Sequence, residues 1–238
     1  MKIADLLRAK CDNVSTLNKF RKWGIIMSVV DLLASQLASQ LGRNDEEPNI
    51  ELAHKLIHEE NDAGIEEIIE NLTCQDKKIQ YDCMKVAYEI GQVKPELISK
   101  YVLTFIELLK SPNNRLVWGG MMALATIAEV ASETIMAHLA ILKSAMKVGS
   151  VITIDKGVLT LAKLAAVSKE NNDVIFPILL HHLENCRPKE IPQHSKSTLL
   201  AVTDENKNEL LKVLRKRERY LTAPQLKRVK KIYKSLEA

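Results

Sequence analysis

The stretch SPNNRLVWGGMMALATIAEV, Ser111 to Val130, decides how the rest of the chain is read. It opens like a helix after a polar turn, yet it carries Gly119 and Gly120 side by side, and a glycine inside a helix costs about 1 kcal/mol against alanine. Two other stretches explain one of the two. DKKIQYDCMKVAYEIGQ starts at Asp76 and SVITIDKGVLTLAKLAA at Ser150, so with NNRLVWGGMMALATIAE from Asn113 the three starts lie thirty-seven residues apart. Ile90, Ile127 and Leu164 then align, as do Ala87, Leu124 and Leu161. Gly91, Ala128 and Ala165 fill one small-residue position, and Cys83, Gly120 and Gly157 fill another. A small position that recurs at the repeat period predicts close helix packing, so Gly120 and Gly157 are read as packing glycines. Gly119 has no such counterpart and is read as tolerated.

Each of these helices has a partner ahead of it. PELISKYVLTFIELLKS precedes the second, with Pro95 near its start. SETIMAHLAILKSAMKVG precedes the third, with Ser132 expected as N-cap and Gly149 as the stop. DAGIEEIIENLTCQ precedes the first. NDVIFPILLHHLENC, with a kink expected at Pro177, and IPQHSKSTLLAV make a fourth pair. Met1 to Glu60 lacks the period and reads as helices KIADLLRAK, VSTLNKFRKWGIIMSVVDLLASQLASQL and NIELAHKLIHEE. ENKNELLKVLRKRERYL and a helix opening at TAPQLKRVKKIYKSL, where Thr222 and Gln225 have capping-box spacing, close the chain. The expected organisation is one continuous solenoid: capping helices over 1–60, a repeat array over 61–202 and basic helices over 203–238.

Composition agrees with this picture. Aromatic residues are only 4% against 46% hydrophobic overall, so the core must be aliphatic. Eight Gly and seven Pro in 238 residues are too few for the turns of a sandwich or barrel. Cys11, Cys74, Cys83 and Cys186 contain no CxxC pair and read as reduced thiols, neither a disulfide frame nor a zinc site. The N-terminus carries Asp5 among its apolar residues and does not read as a signal peptide. GIIMSVVDLLASQLA is broken by Asp31 and is too short to span a bilayer. A cytoplasmic protein without membrane contact is expected.

Paired helices at this period resemble the HEAT repeats of armadillo-type α-solenoids over roughly residues 61–202. Asn113, Arg115, Ala123 and Leu124 stand where that family has its turn, its following basic residue and its alanine-leucine pair. The third unit departs, with Asp155 and Lys156 in place of Trp118 and Gly119, and the fourth fits only with about one extra residue. The resemblance implies an all-α, right-handed superhelix whose second helices line a concave surface.

About 100° per residue from Leu124 brings Met121, Ala128 and Gly120 to the buried face and Trp118, Met122, Ala125 and Glu129 toward the other side. In register, the second helices carry a stripe of Tyr81, Lys85, Tyr88, Trp118, Met122, Asp155 and Leu159. Exposed, this stripe is a groove for a protein or peptide partner, with aromatic anchors and Asp155 as a polar contact. Covered by neighbouring helices, it is core.

No Walker loop, GxGxxG, GxSxG or HExxH is present. His54 and His58 lie four apart but read as part of a solvated face, and His181 and His182 diverge around their helix. The glutamates of NDEEPNIELAHKLIHEENDAGIEEIIE read as a solvated acidic face. No catalytic residue, metal or cofactor is expected, and the chain is read as a non-catalytic scaffold.

From Asn206 onward eleven cations face three carboxylates, about +8 against about −4 for the rest. Arg215, Lys216, Arg217, Arg219, Lys227, Arg228, Lys230 and Lys231 are the candidate nucleic-acid contacts, with Tyr220 and Tyr233 available for stacking. Complementary ends also permit head-to-tail homo-oligomers. A weaker likeness is to HEAT-like DNA glycosylases for alkylated bases, because Trp118 and Asp155 occupy equivalent repeat positions. That motif is not matched: Met122 stands where an aspartate four residues after the tryptophan would be, and the third unit has no second tryptophan.

Overall fold

The computed structural model describes residues 33–237, and every regular element among them is helical. The expected helix KIADLLRAK, most of the helix from Val14, Cys11 and Trp23 lie outside the described residues. The chain divides into two compact units, Met1–Tyr101 and Val102–Ala238, with the boundary inside the stretch expected to be one array.

The first unit contains α1 (Glu47–His58), α2 (Asp62–Glu70), α3 (Lys77–Val93) and α4 (Glu96–Ser99). α3 packs on α1, α2 and α4. The helix expected to reach Leu41 instead gives way to turns after Ala34, with Gln36, Leu37 and Gln40 each bonding three residues back. The turns free two backbone N–H groups for side chains: Ala38 donates to Asn49 Oδ1 at 3.0 Å and Ser39 to Asp82 Oδ2 at 2.8 Å. Asn49 Nδ2 donates to Asp82 Oδ1 at 2.8 Å, so the buried amide and the carboxylate complete each other.

The second unit contains α5 (Val102–Leu108), α6 (Asn114–Ile127), α7 (Ser132–Ala137), α8 (Leu139–Val148), α9 (Val151–Val167), α10 (Lys169–Asn185), α11 (Ile191–Thr198), α12 (Lys207–Arg217) and α13 (Ala223–Glu237). α9 packs against α6 and α10, and also touches α8 and α11; α11 packs on α13 and α10 on α12.

The three second helices of the repeat are α3, α6 and α9, and each begins with a side-chain cap at the same register position. Asp76 accepts from the N–H of Lys78, Asn113 from that of Arg115, and Ser150 from that of Thr153. Such caps satisfy N–H groups that have no partner inside the helix. One period further on, Glu190 bonds the N–H of Arg187 at 3.0 Å. The aligned positions are buried as the register requires: Ile90, Ile127, Leu164, Ala87, Leu124 and Leu161 are all fully enclosed. Cys83, Gly120 and Gly157 are buried too. A Cβ on Gly120 would stand 3.0 Å from the carbonyl oxygen of Phe105 and 3.1 Å from Leu108 Cβ; on Gly157 it would stand 2.5 Å from Met146 Cγ. Gly119 is buried as well.

The first helices are less regular than expected. PELISKYVLTFIELLKS is split into α4 and α5 where the Tyr101 N–H bonds Ile98, three residues back. SETIMAHLAILKSAMKVG is split into α7 and α8 at His138. Its ring Nδ1 bonds the Thr134 carbonyl at 2.8 Å, and its own N–H bonds Ile135 instead. A side chain has taken the acceptor that a continuous helix needs. Ser132 lies inside α7, and Ala131 is the cap position with no side-chain bond. Pro177 does not interrupt α10, and it is exposed, so the carbonyl deprived of its donor can turn to water.

Candidate functional site

Six of the seven stripe residues are half-buried on their helices: Tyr81 and Lys85 on α3, Trp118 and Met122 on α6, and Asp155 and Leu159 on α9. α6 and α9 pack side by side, which brings the last four onto neighbouring elements of one unit. The Arg115 guanidinium lies 6.0 Å from the Trp118 ring centroid. Tyr88 and Lys85 do not offer the expected surface: the first is buried and the second is held in ion pairs. Tyr88 is 4% exposed, and the Lys85 Nζ lies over its ring, 5.1 Å from the centroid. Burial pushes its hydroxyl up to about 12, although Lys85 pulls the other way. Lys85 is itself held by Glu89 at 2.7 Å and Glu46 at 2.9 Å.

Asp155 is engaged in a cluster that the sequence reading missed. His194, on α11, is fully buried, and its Nε2 lies 2.6 Å from Asp155 Oδ1. Its Nδ1 lies 2.8 Å from Nε2 of His182, near the end of α10. The two rings are tilted by 49° with centroids 4.8 Å apart. Cys186, the C-cap of α10, completes the group: ligand atoms from His182, Cys186 and His194 all lie within 4.8 Å of one another. Since a carboxylate only accepts, the His194 proton belongs on Nε2, and Nδ1 accepts from His182. Burial, reinforced by His194, pushes the His182 ring down to about 4, so it is neutral at pH 7. Burial, reinforced by Glu190, pushes the Cys186 thiol up to about 11.

The corner that carries Cys186 is tied down from two sides. Arg217 reaches from α12 to donate to the carbonyls of Glu184, at 2.8 Å, and Cys186. Arg187 pairs with Glu190, which is 7% exposed. Burial raises the Glu190 carboxyl, but the bonds from Arg187 outweigh that and hold it below the ordinary value. The signal in the sequence was HHLENC: His182 and Cys186 are four apart at a helix end, with His194 eight residues on. Reading the cysteines only for CxxC pairs passed over it.

On the basic helices Arg215, Lys216, Arg219, Lys227, Arg228, Lys230 and Lys231 are exposed. Arg217 is not available in the same way, since its guanidinium is committed to the end of α10. Tyr233 is also occupied, donating to Glu218 at 2.6 Å, whereas Tyr220 is half exposed between Arg219 and Arg217. His54 and His58 are both exposed on α1. No helix among the described residues is long and apolar enough to cross a membrane.

The sequence matches no family model and no curated protein. Solved structures do match the fold. An engineered protein superposes with a TM-score of 0.62 at 18% identity, over 89% of this chain and 97% of that one. A designed armadillo repeat protein in complex with the peptide (KR)4 gives 0.60 at 16% identity, over 88% and 100%. The karyopherin Kap121p gives 0.57 at 16% identity over 87% of this chain, which spans 23% of Kap121p. The fold is that of the armadillo/HEAT-type α-solenoids.

Proposed function

We propose that this chain is a non-catalytic solenoid that binds a peptide or helix of a protein partner, with α6 and α9 as the recognition surface. The observation that carries the reading is the placement of four half-exposed side chains, Trp118, Met122, Asp155 and Leu159, on two packed neighbouring helices. Trp118 supplies an anchor with a large apolar face and Met122 an adaptable one. Asp155 keeps 36% of its side chain exposed while bonded to His194, so it retains a lone pair for a polar contact. The fold's relatives lend support: the designed armadillo protein holds a peptide, and Kap121p has been seen bound to Pho4p and to the SUMO protease Ulp1p.

The test is a peptide-display selection on protein with Trp23 replaced by Phe, so that Trp118 is the only tryptophan. Selected peptides shift the Trp118 emission to the blue, and Trp118→Ala with Met122→Ala weakens them by roughly tenfold or more. Peptides that bind the double variant unchanged sink the assignment of this surface.

A second reading, nucleic-acid binding by the C-terminal helices, is favoured by the exposed cations on α12, α13 and their junction, the seven candidate contacts above together with Lys212 and Lys234. It requires binding to random duplex DNA that falls steeply with salt. Salt-independent binding or none removes it.

A further inference from the structure

We propose that His182 Nε2, Cys186 Sγ and His194 Nδ1 form a binding site for a zinc-class divalent cation, with Asp155 orienting His194 from behind. This site shares Asp155 with the proposed partner surface, but its test reads metal binding alone and stands or falls apart from that reading. Two imidazole nitrogens and a thiolate are the donors that a borderline-soft ion such as zinc selects. The three ligand atoms already lie within 4.8 Å of one another. The facing nitrogens are 2.8 Å apart, and two nitrogens on a tetrahedral zinc stand roughly 3.4 Å apart, so an ion requires the rings to separate by about half an ångström and to turn both lone pairs toward it, with Cys186 Sγ closing on the third position.

The surroundings match what a metal-binding histidine needs. The ring nitrogen of His194 that points away from His182 is bonded to a carboxylate, the arrangement that fixes tautomer and orientation in histidine–metal sites. His194 is fully buried, so its direction is set by packing as well. Arg217 and the Arg187–Glu190 pair hold the backbone corner from which Cys186 projects. His182 and Cys186 are only half-buried, which gives an ion a route in and leaves its fourth position to water.

The proton balance is simple. On binding, His182 moves its proton from Nε2 to Nδ1 and stays neutral. His194 keeps its proton on Nε2, against Asp155. Cys186 loses its thiol proton to solvent as the Sγ–metal bond forms, so about one proton is released per ion. The bound ion ties the end of α10 to α11 and, through Asp155, to α9.

The experiment uses the full chain without a histidine tag, stripped with a chelator and titrated with Co2+, with Zn2+ as competitor. The expected result is saturation at one equivalent with a thiolate-to-cobalt charge-transfer band in the near ultraviolet. Cys186→Ser abolishes that band, and Asp155→Asn weakens binding by roughly 10- to 100-fold. If Cys186→Ser does not keep the helical circular dichroism of the parent, His182→Gln serves instead and is expected to lose saturation at one equivalent. No saturable band, or a band that survives both substitutions, overturns the site and leaves a hydrogen-bonded histidine pair.

Discussion

Asp155 accepts a 2.6 Å hydrogen bond from Nε2 of His194, a fully buried ring thirty-nine residues further along the chain. The bond makes one carboxylate serve two surroundings, a half-open helix face and the inside of the fourth hairpin. In metal-free protein Asp155→Ala strands a buried N–H, at an expected cost of about 1–3 kcal/mol. Asp155→Asn keeps an acceptor oxygen in place and should lose less. Urea denaturation compares them, and a loss below about 0.5 kcal/mol in the alanine variant would show that the bond does not persist in solution.

Gly120 and Gly157 answer to different neighbours. A methyl on Gly120 meets the backbone of Phe105, which cannot move without moving α5, whereas a methyl on Gly157 meets the jointed side chain of Met146. Gly120→Ala should therefore destabilise by about 1–3 kcal/mol despite alanine's better helix propensity. Gly157→Ala should cost less. Thermal denaturation of the two variants checks the order, and a stabilised Gly120→Ala would refute close packing there.

Tyr88 gives the stability a dependence on alkaline pH. Its hydroxyl is raised from 10 to about 12 by burial, so the folded state holds the proton more tightly than the unfolded one. The resulting contribution is present below pH 10 and is lost as the pH rises from 10 toward 12, at most about 2–3 kcal/mol. Tyr88→Phe should flatten that part of the curve when denaturation midpoints are compared at pH 9 and pH 11. An unchanged slope would mean that the ring is not enclosed.

Arg217 and Arg219 are two residues apart and should behave differently. Arg217→Ala removes two bonds to carbonyls at the end of α10 and should destabilise by about 1–3 kcal/mol. Arg219→Ala, at an exposed position, should stay within about 0.5 kcal/mol of the parent. Equal effects in a denaturant series would show that the Arg217 clamp is not formed.

The repeats were legible because their causes are local. Buried apolar positions, caps and small residues recur at one spacing, so Leu124 could be placed from Ala87 and Leu161 without a structure. The breaks at Tyr101 and His138 were not legible, since a ring nitrogen competing for the Thr134 carbonyl leaves no mark on periodicity. Helix angles placed most of the stripe at the edge of the core, but they gave no sign that Tyr88 is enclosed or that Lys85 is taken up by Glu46 and Glu89, two carboxylates from different parts of the chain. The histidine cluster was hardest to see. Its members are brought together from three helices, and only the spacing of His182 and Cys186 is a short-range signal.

The caps at Asp76, Asn113 and Ser150 give each repeat its own start signal at an identical interval. A duplication or excision whose ends fall at two such points preserves the punctuation at the seam. Removing residues 113–149, for instance, joins Pro112 directly to Ser150 and leaves a helix that still opens on a capping side chain. Array length is thereby heritable in whole increments: a chain of this kind can be shortened or extended by recombination without inventing a new junction.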